Sequence, residues 1–302
     1  MEPGGFRIIS YPNKFAEFRI YAIADAHWLN RGTAGDHLKR DIKAVADDDN
    51  GLVFGLGDYA DWITPGHPHF DPLCFPPDFK LSELAKYTEF VSKQIIEMFA
   101  PIASKCLGFG FGNHEWNYMS RRNQHEVHGV ICKQLGVPDI WFSSFVDIYF
   151  VHDPSIKSAV VQLFPEQLPP EYTAKLSVFN FHGAGAPATA GGKVNRLKAA
   201  HDMVEANLIL TGHLHEAIAK PFVRLYPNED CTVINQRQTM ALITGSYLRT
   251  YTPQMVSYGE RRGYPPTTLG MTKARYTPYR RELTVEVKGE GVGIAGTQSK
   301  KV

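Results

Sequence analysis

The segments FRIYAIADAH (residues 18–27) and GLVFGLGDYAD (residues 51–61) decide the fold class of this chain. Each begins with a short, mostly apolar run, which is typical of a buried strand, and ends in a cluster of polar side chains. Residues 37–46 between them carry charged and apolar side chains at helical spacing, so the three segments predict a β-α-β unit. We expect the two polar clusters to emerge together at the ends of neighbouring strands.

The same arrangement recurs further along the chain, which makes it an α/β sequence. Three more apolar runs end in polar clusters: residues 106–112 before Asn113-His114-Glu115, residues 177–181 before His182-Gly183, and residues 207–211 before Gly212-His213-Leu214-His215. Helical spacing predicts helices over residues 81–100, 119–135 and 192–204. The pattern is strand-like over residues 141–151 and mostly strand-like over residues 217–248.

Composition excludes several classes of protein. With 302 residues, 43% of them hydrophobic and 21% charged, the chain can bury a sizeable core. Its 32 basic and 31 acidic side chains give a formal net charge of +1, which creates no global field for nucleic acid or an anionic membrane. The four cysteines form no CxxC pair, so no thiolate zinc site is indicated. No leader pattern and no apolar run of ~20 residues is evident, so we expect a cytoplasmic protein with no membrane segment.

The polar clusters supply side chains that bind metals. The seven candidates are Asp25, His27, Asp58, Asn113, His182, His213 and His215. Such mixed nitrogen and oxygen ligands suit Zn, Mn or Fe better than Ca or Mg. Taken singly, each cluster has an ordinary interpretation as a helix cap, a turn or a core histidine. The shared position of the whole series at strand ends favours a metal site.

In this order the clusters resemble the motifs D-x-H, G-D-x-x-D, G-N-H-E, H-G and G-H-x-H of the calcineurin-like metallophosphoesterase superfamily. The resemblance covers residues 25–215. It implies one domain over residues 1–302 with a four-layer α/β/β/α sandwich, in which two mixed β-sheets pack face to face and helices flank them. A strand-rich part, residues 217–288, carries no motif, and the Gly-rich tail, residues 289–302, is expected to fray.

The resemblance also implies a ligand set and a reaction. One divalent metal ion (Mn, Fe, Zn or Ni) would be held by Asp25, His27 and His215, the other by Asn113, His182 and His213, with Asp58 bridging both. A hydroxide between the metals would attack phosphorus of a phosphate monoester or diester. His114 would assist the leaving oxygen, and Asp61 would orient His114 and favour its protonated form.

Residues next to the motifs bear on the substrate. The Ser/Thr phosphatase branch of the superfamily has an arginine where this chain has Trp62, which weakens a protein-phosphatase interpretation. A replacement phosphate-binding cation could come from Arg31, Arg121, Arg122 or Lys193. Tryptophans follow three of the clusters, at positions 28, 62 and 116, and either stack a flat leaving group such as a nucleobase or pack behind the ligand loops.

The sequence leaves the function of two long loops undecided. Residues 62–80 contain a second H-x-H pair, His67 and His69, and either overhang the pocket or run over the surface. Residues 250–270 contain Arg261 and Arg262, which either contact substrate phosphate or lie in a solvated turn.

Three alternatives accompany the phosphoesterase interpretation. The first is a nuclease that acts on DNA or RNA through a local groove. The second is a non-catalytic scaffold with the same fold, which binds partners. The third is a mononuclear oxygenase built on Asp25 and His27, and it leaves the other candidate ligands unexplained. The expected partner in the main interpretation is a phosphate ester, with a nucleotide or a nucleic acid as candidates.

Overall fold

The computed structural model describes residues 1–65, 67, 70–122 and 124–286. The tail predicted to fray, residues 289–302, and His69 lie outside this part of the chain. The strands are β1 (Glu2–Tyr11), β2 (Phe18–Ile23), β3 (Gly51–Gly55), β4 (Cys106–Phe109), β5 (Ser143–His152), β6 (Val160–Gln162), β7 (Ala174–Phe181), β8 (Leu208–Thr211), β9 (Ile218–Pro227), β10 (Ile234–Ile243), β11 (Thr272–Thr277) and β12 (Glu282–Glu286). The α-helices are α1 (Gly35–Ala46), α2 (Tyr87–Phe99), α3 (Asn113–Arg122), α4 (Val127–Leu135), α5 (Ala190–Met203) and α6 (Tyr258–Arg261), with 3₁₀ turns at Pro72–Cys74, Leu81–Lys86 and Ala100–Lys105.

Within the described residues the strands form two mixed sheets. The smaller sheet has five strands in the order β12-β11-β2-β3-β4, with β2, β3 and β4 parallel to one another. The larger sheet has seven strands in the order β6-β1-β5-β7-β8-β10-β9, with β7, β8 and β10 parallel. The predicted β-α-β unit is therefore β2-α1-β3, and its strands are adjacent.

Three clusters of buried side chains define four layers. The central cluster joins the two sheets, with Ile20 and Phe54 from the smaller sheet and Ile148 and Leu210 from the larger one. A second cluster packs α1, α2 and α4 on the outer face of the smaller sheet. A third packs α5 on the larger sheet. The α/β/β/α sandwich predicted from the sequence is confirmed.

Helix α1 shows how the sequence pattern forms one of these layers. Its apolar residues Leu38, Ile42 and Val45 recur at helical spacing and are buried, while the charged residues between them mostly face solvent. Burial of one such aliphatic side chain stabilises the fold by about 1.5–3 kcal/mol. The outer helix is therefore fixed to the sheet by a single apolar stripe.

One predicted element is wrong as a unit. Residues 119–135 do not form a single helix, because α3 ends at Arg122 and α4 begins at Val127. The stretch RRNQHE, residues 121–126, supplies no apolar side chain for the buried face, so nothing holds a continuous helix against the sheet there. The N-terminal strand β1, which pairs with β5 in parallel, was not expected from the sequence.

The pairing of β2 with β3 continues beyond both strands and aligns the first two polar clusters. Asp25 N–H donates to Gly57 O, and His27 N–H donates to Asp58 O, each at 3.0 Å. The parallel strands β7 and β8 bring the two later histidine clusters to the same edge of the molecule. Among the described residues, no helix has both the length and the apolar character needed to cross a bilayer.

Candidate metal centre

The first group of predicted ligands joins the end of β2 to the loop after β8. His215 Nε2 lies 3.2 Å from Asp25 Oδ1 and 3.3 Å from His27 Nε2. Neighbouring ligands of one first-row cation stand roughly 3 to 3.5 Å apart, because the metal–ligand bonds measure about 2.0–2.2 Å. The third pair, His27 Nε2 and Asp25 Oδ1, is 3.9 Å apart, so His215 Nε2 has the spacing to both partners that a single cation requires, and the remaining pair is wider.

The second group joins the ends of β3, β4, β7 and β8. His182 Nε2 lies 3.1 Å from Asn113 Oδ1 and 3.3 Å from Asp58 Oδ2. The ligand atoms of Asp58, His182 and His213 all lie within 4.8 Å of one another. This set has two oxygen and two nitrogen donors around one point.

Asp58 lies between the two groups. Besides its contacts with His182 and His213, its carboxylate lies within 4.8 Å of ligand atoms of His27 and His114. A carboxylate with two oxygens in that position can contact both cations, as a bridging ligand must. The structure thus brings together all seven side chains that the sequence predicts as ligands.

Hydrogen bonds orient two of the histidines with Nε2 toward the site. His182 Nδ1 lies 2.7 Å from Leu56 O, and His27 Nδ1 lies 3.0 Å from Asp61 Oδ1. A carbonyl or carboxylate oxygen only accepts, so each Nδ1 carries the proton and each Nε2 can present its lone pair. In metal proteins this partner of the second ring nitrogen fixes the tautomer and the ring plane.

When these histidines are neutral and carry their proton on Nδ1, the site contains hydrogen-bond acceptors that face one another. His182 Nε2 points at oxygens of Asp58 and Asn113, and Asp25 Oδ1, which is fully buried, has no hydrogen-bond donor among the residues that the structure describes. Unpaired buried acceptors cost roughly 1–3 kcal/mol each. A divalent cation at these points would bind the acceptors around it, so the residues present fit bound metal.

The protonation states of the buried groups follow from the close approach of these carboxylates and imidazoles. Burial would raise the pKa of Asp58, but His182 and His114 outweigh it and hold the pKa well below its ordinary value. Burial would lower the pKa of His182, but Asp58 raises it to about 9. Burial and His182 together lower the pKa of His213 to about 4, which leaves that imidazole neutral and its lone pair free. Without a metal, protons on histidines take the place of the cation.

Backbone strain concentrates at these strand ends. Five of the seven predicted ligands have left-handed φ angles of 44° to 67°, namely Asp25, His27, Asp58, His213 and His215. Such conformations cost non-glycine residues of order 1–3 kcal/mol each and persist where the surrounding structure enforces them. Strain of this kind clusters at functional sites, and here it points the ligands inward.

Two motif glycines allow the strand ends to approach. A Cβ on Gly57, whose φ is 98°, would lie 2.2 Å from Gly112 N, and a Cβ on Gly112 would lie 2.1 Å from Asp58 Oδ1. Both distances are far inside van der Waals contact. The glycine before each ligand cluster is therefore a spatial requirement for bringing Asp58 and Asn113 into one site.

His114 and Asp61 meet through different atoms than the sequence suggested. His114 Nδ1 lies 2.6 Å from the backbone carbonyl of Asp61 and 3.7 Å from its carboxylate. The carboxylate instead contacts His27 Nδ1 and accepts from Asn30 Nδ2 at 2.7 Å. Asp61 thus holds a predicted ligand with its side chain and His114 with its main chain.

Sequence reasoning assigned no role to Glu115, and the structure gives it a central one. Its buried carboxylate accepts from the N–H groups of Asp58, Tyr59 and Gly112 at 2.8–2.9 Å and from Trp62 Nε1 at 3.1 Å. Burial and Asp58 raise the pKa of Glu115, and the backbone donors oppose that shift. The motif G-N-H-E contains Glu115, but nothing in that pattern shows that the Glu115 side chain turns toward the backbone.

Three of the four cations considered for phosphate already have protein partners. Arg31 donates to Gln254 Oε1 at 2.8 Å, Arg122 donates to Thr64 Oγ1 at 2.9 Å, and Lys193 pairs with Glu216 at 2.7 Å. Arg121 is exposed on α3. Arg31 N–H also donates to Cys74 O, so this residue connects the loop over residues 62–80 with the loop over residues 250–270.

Two of the three tryptophans that follow the polar clusters pack behind the ligand loops. Trp62 is only 2% exposed and lies among Tyr87 and Tyr118. Trp28 is partly buried on the same core cluster, and its Nε1 lies 3.3 Å from Gln94 Oε1. Trp116 differs, since it is 47% exposed.

The loop over residues 250–270 contacts the candidate metal centre near its C-terminal end. Thr268 N–H donates to His215 O at 3.3 Å, and Tyr247 N–H donates to Asp25 O at 2.9 Å. Arg262 lies over the ring of Tyr258 at 5.3 Å. Thr268 therefore attaches residues 250–270 to the backbone of the first ligand group, and Tyr247, which precedes them, is attached there too.

Comparisons with known proteins give only distant likenesses. No family model matches the chain, and no curated protein matches it significantly. A conserved uncharacterized protein from Streptococcus pneumoniae, described as a predicted phosphoesterase, aligns over 90% of this chain and 99% of its own with 12% identity and a TM-score of 0.28. A Vps29 double mutant from Entamoeba histolytica aligns over 91% of this chain and 100% of its own with 10% identity and a TM-score of 0.31. These scores are too low to assign this chain to a family.

Proposed function

We propose that this protein is a dinuclear metal-dependent phosphoric ester hydrolase. The observation that carries the proposal is the convergence of ligand atoms: Asn113 Oδ1 and Asp58 Oδ2 lie 3.1 and 3.3 Å from His182 Nε2, and Asp25 Oδ1 lies 3.2 Å from His215 Nε2. With His182 neutral, these atoms are all acceptors, and two cations would bind them together. Asp25, His27 and His215 would hold one cation, Asn113, His182 and His213 the other, and Asp58 both.

A metal pair in this setting suits displacement at phosphorus. The cations would supply Lewis acidity at the phosphoryl oxygens and lower the pKa of the attacking water. The chain itself supplies the anchoring of the ligands: Asp61 fixes His27, Leu56 O fixes His182, and Asp25 Oδ2 accepts from His213 N–H at 2.7 Å.

His114 supplies the proton transfer. Its Nδ1–H donates to Asp61 O, so Nε2 faces the site, 4.0 Å from Asp58 Oδ2. The side chain is 25% exposed, which leaves it accessible to a bound ester. We assign His114 the role of general acid at the leaving oxygen, a role worth typically 10²–10⁴-fold in rate.

The test combines a metal count with a substrate screen. Purified protein is stripped with a chelator, reloaded with Mn, Zn, Ni, Fe or Mg, counted by elemental analysis, and assayed on aryl monoesters, aryl diesters, cyclic nucleotides and nucleic acids. We expect about two metal ions per chain and hydrolysis that depends on them. Asp58→Asn should abolish both, whereas the control Asp230→Asn, in the exposed turn after β9, should change neither.

Each contrary outcome points to a different function. Two bound metals with no hydrolysis of any ester would favour the non-catalytic scaffold. One metal per chain would contradict the dinuclear assignment and favour a mononuclear centre at Asp25 and His27. Activity confined to nucleic acids would identify a nuclease.

A further inference from the structure

A half-exposed aromatic surface borders the second ligand group. We define the aromatic face as Phe111, Trp116, Trp141 and Phe142. The ring of Phe111 lies 6.1 Å from Trp116, 5.9 Å from Trp141 and 6.1 Å from Phe142. Trp116 and Trp141 are 47% and 50% exposed, so two indoles present ring surface to solvent around one buried phenylalanine.

The aromatic face adjoins the candidate metal centre from two directions. The ring of Phe142 lies 5.5 Å from the ring of His182, a predicted ligand. Trp116 follows Asn113, another predicted ligand, by three residues on α3. Residues three apart on a helix share a face with their Cβ atoms ~5–6 Å apart. A group bound at His182 and Asn113 therefore has the aromatic face as its neighbour.

The backbone holds Trp141 in an unfavourable conformation. Its φ is 56°, a left-handed angle that is a genuine outlier for a bulky residue. Trp141 N–H donates to Asp139 Oδ1 at 2.9 Å, and Trp141 O accepts from Phe111 N–H at 3.2 Å. A Cβ on Gly110 would lie 2.6 Å from Trp141 O, so a glycine is needed opposite it. This strain presents an indole that remains half exposed, so core packing does not explain it.

We propose that the aromatic face binds the planar aromatic part of the substrate, a nucleobase or an aryl group, while the phosphate lies at the metal centre. The inference rests on the proposed function, because the phosphate position defines where the rest of the ester must go. An indole offers a flat π-surface that every nucleobase can stack on, and stacking on that surface does not select one base. The substrate class is thus a phosphate ester with a flat aromatic group, with little preference among bases.

Discrimination between two esters tests the proposal. Trp141→Leu and Trp116→Leu are compared with wild type on a nucleotide phosphodiester and on a dimethyl or other small aliphatic phosphodiester. Loss of stacking should lower kcat/KM on the nucleotide by about 5- to 100-fold and leave the aliphatic ester within about twofold. Trp141→Phe should retain most of the discrimination. Phe164→Leu, a change at a 66% exposed ring on the surface, is the matched control.

A binding measurement separates this inference from the proposed hydrolysis. Equilibrium dialysis of metal-loaded protein with a nucleoside monophosphate and with methyl phosphate needs no turnover. Tighter nucleotide binding that Trp141→Leu abolishes supports the aromatic face even in a protein that hydrolyses nothing. Equal losses on both esters, or equal binding of both ligands by wild type and variants, would overturn the inference while leaving hydrolysis itself intact.

Discussion

Glu115 Oε2 accepts the backbone N–H groups of both Asp58 and Gly112, at 2.8 and 2.9 Å. One carboxylate therefore ties the loop after β3 to the loop after β4. Asp58 lies in the first loop, and Asn113 begins α3 directly after the second. The spacing of the second ligand group depends on a side chain that does not itself enter it.

Glu115→Gln should destabilise the protein and loosen the second ligand group. An amide retains one acceptor oxygen and places an NH₂ group against backbone donors, so at least one buried N–H loses its partner. We expect a loss of at least ~2 kcal/mol in the free energy of unfolding, measured by urea denaturation of the metal-free protein. Glu229→Gln, at an exposed turn position, is the control. An unchanged midpoint would contradict the structural role of Glu115.

His114→Ala should lower turnover far more than metal content. The backbone N–H of His114, which donates to Asp58 Oδ1 at 2.9 Å, survives the change, so the ligand loop keeps its anchor. We expect turnover to fall by about 10²–10⁴-fold with two metals still bound.

The defect in His114→Ala should also depend on the leaving group. It should shrink for an aryl ester with a strongly acidic phenol, because such a phenol leaves without needing a proton. Parallel losses of metal and activity would instead make His114 a structural residue.

Added divalent metal should raise the thermal stability of the protein in a concentration-dependent way. Cations bind the folded arrangement of acceptors, and at 100 times the dissociation constant they contribute ~2.7 kcal/mol. A chelator should reverse the gain. In His182→Ala the increase should be much smaller, because the second group loses the nitrogen that contacts both Asp58 and Asn113. A melting temperature indifferent to metal would contradict the metal centre.

The layers and strand ends of this protein were predictable because they follow from local patterns. Apolar runs such as residues 18–23 fill a buried strand, and a polar cluster directly after the run must lie at the sheet edge. The seven predicted ligands therefore lie together, as the order of the motifs suggested.

Side-chain direction was not predictable in the same way. Glu115 and His114 are neighbours in sequence, yet Glu115 turns to backbone donors and His114 to the site. Trp62 and Trp116 each follow a motif, yet one is in the core and the other exposed. Packing between residues distant in sequence decides these directions, as the contact of Asp58 with Glu115, 57 positions away, illustrates.

Acid should weaken the fold partly through Asp48. Burial would raise the pKa of this carboxyl, but hydrogen bonds from Arg19 and Tyr21 outweigh it and lower the pKa below its ordinary value. A lowered folded-state pKa gives stability that is present above the unfolded value of ~3.9 and is lost as pH falls through the folded pKa. The free-energy difference between wild type and Asp48→Asn should therefore be largest near neutral pH and shrink below about pH 4. Urea unfolding across pH 3–7 measures it, and a constant difference would contradict the ion pair.

Gly112→Ala should reduce metal binding, whereas Gly129→Ala should stabilise the protein. A Cβ at position 112 would lie 2.1 Å from Asp58 Oδ1 and 2.6 Å from His182 Cε1, so two ligands of the second group must move. A Cβ at position 129, within α4, would meet no heavy atom of the described chain within 4 Å apart from the neighbouring residues and backbone of its own helix, and alanine in a helix is favoured over glycine by ~0.8–1 kcal/mol. We expect the first variant to bind fewer than two metals and to lose ~1–3 kcal/mol through overpacking. Elemental analysis with urea unfolding measures both quantities, and full metal content in Gly112→Ala would contradict the need for a glycine beside the Asp58 carboxylate.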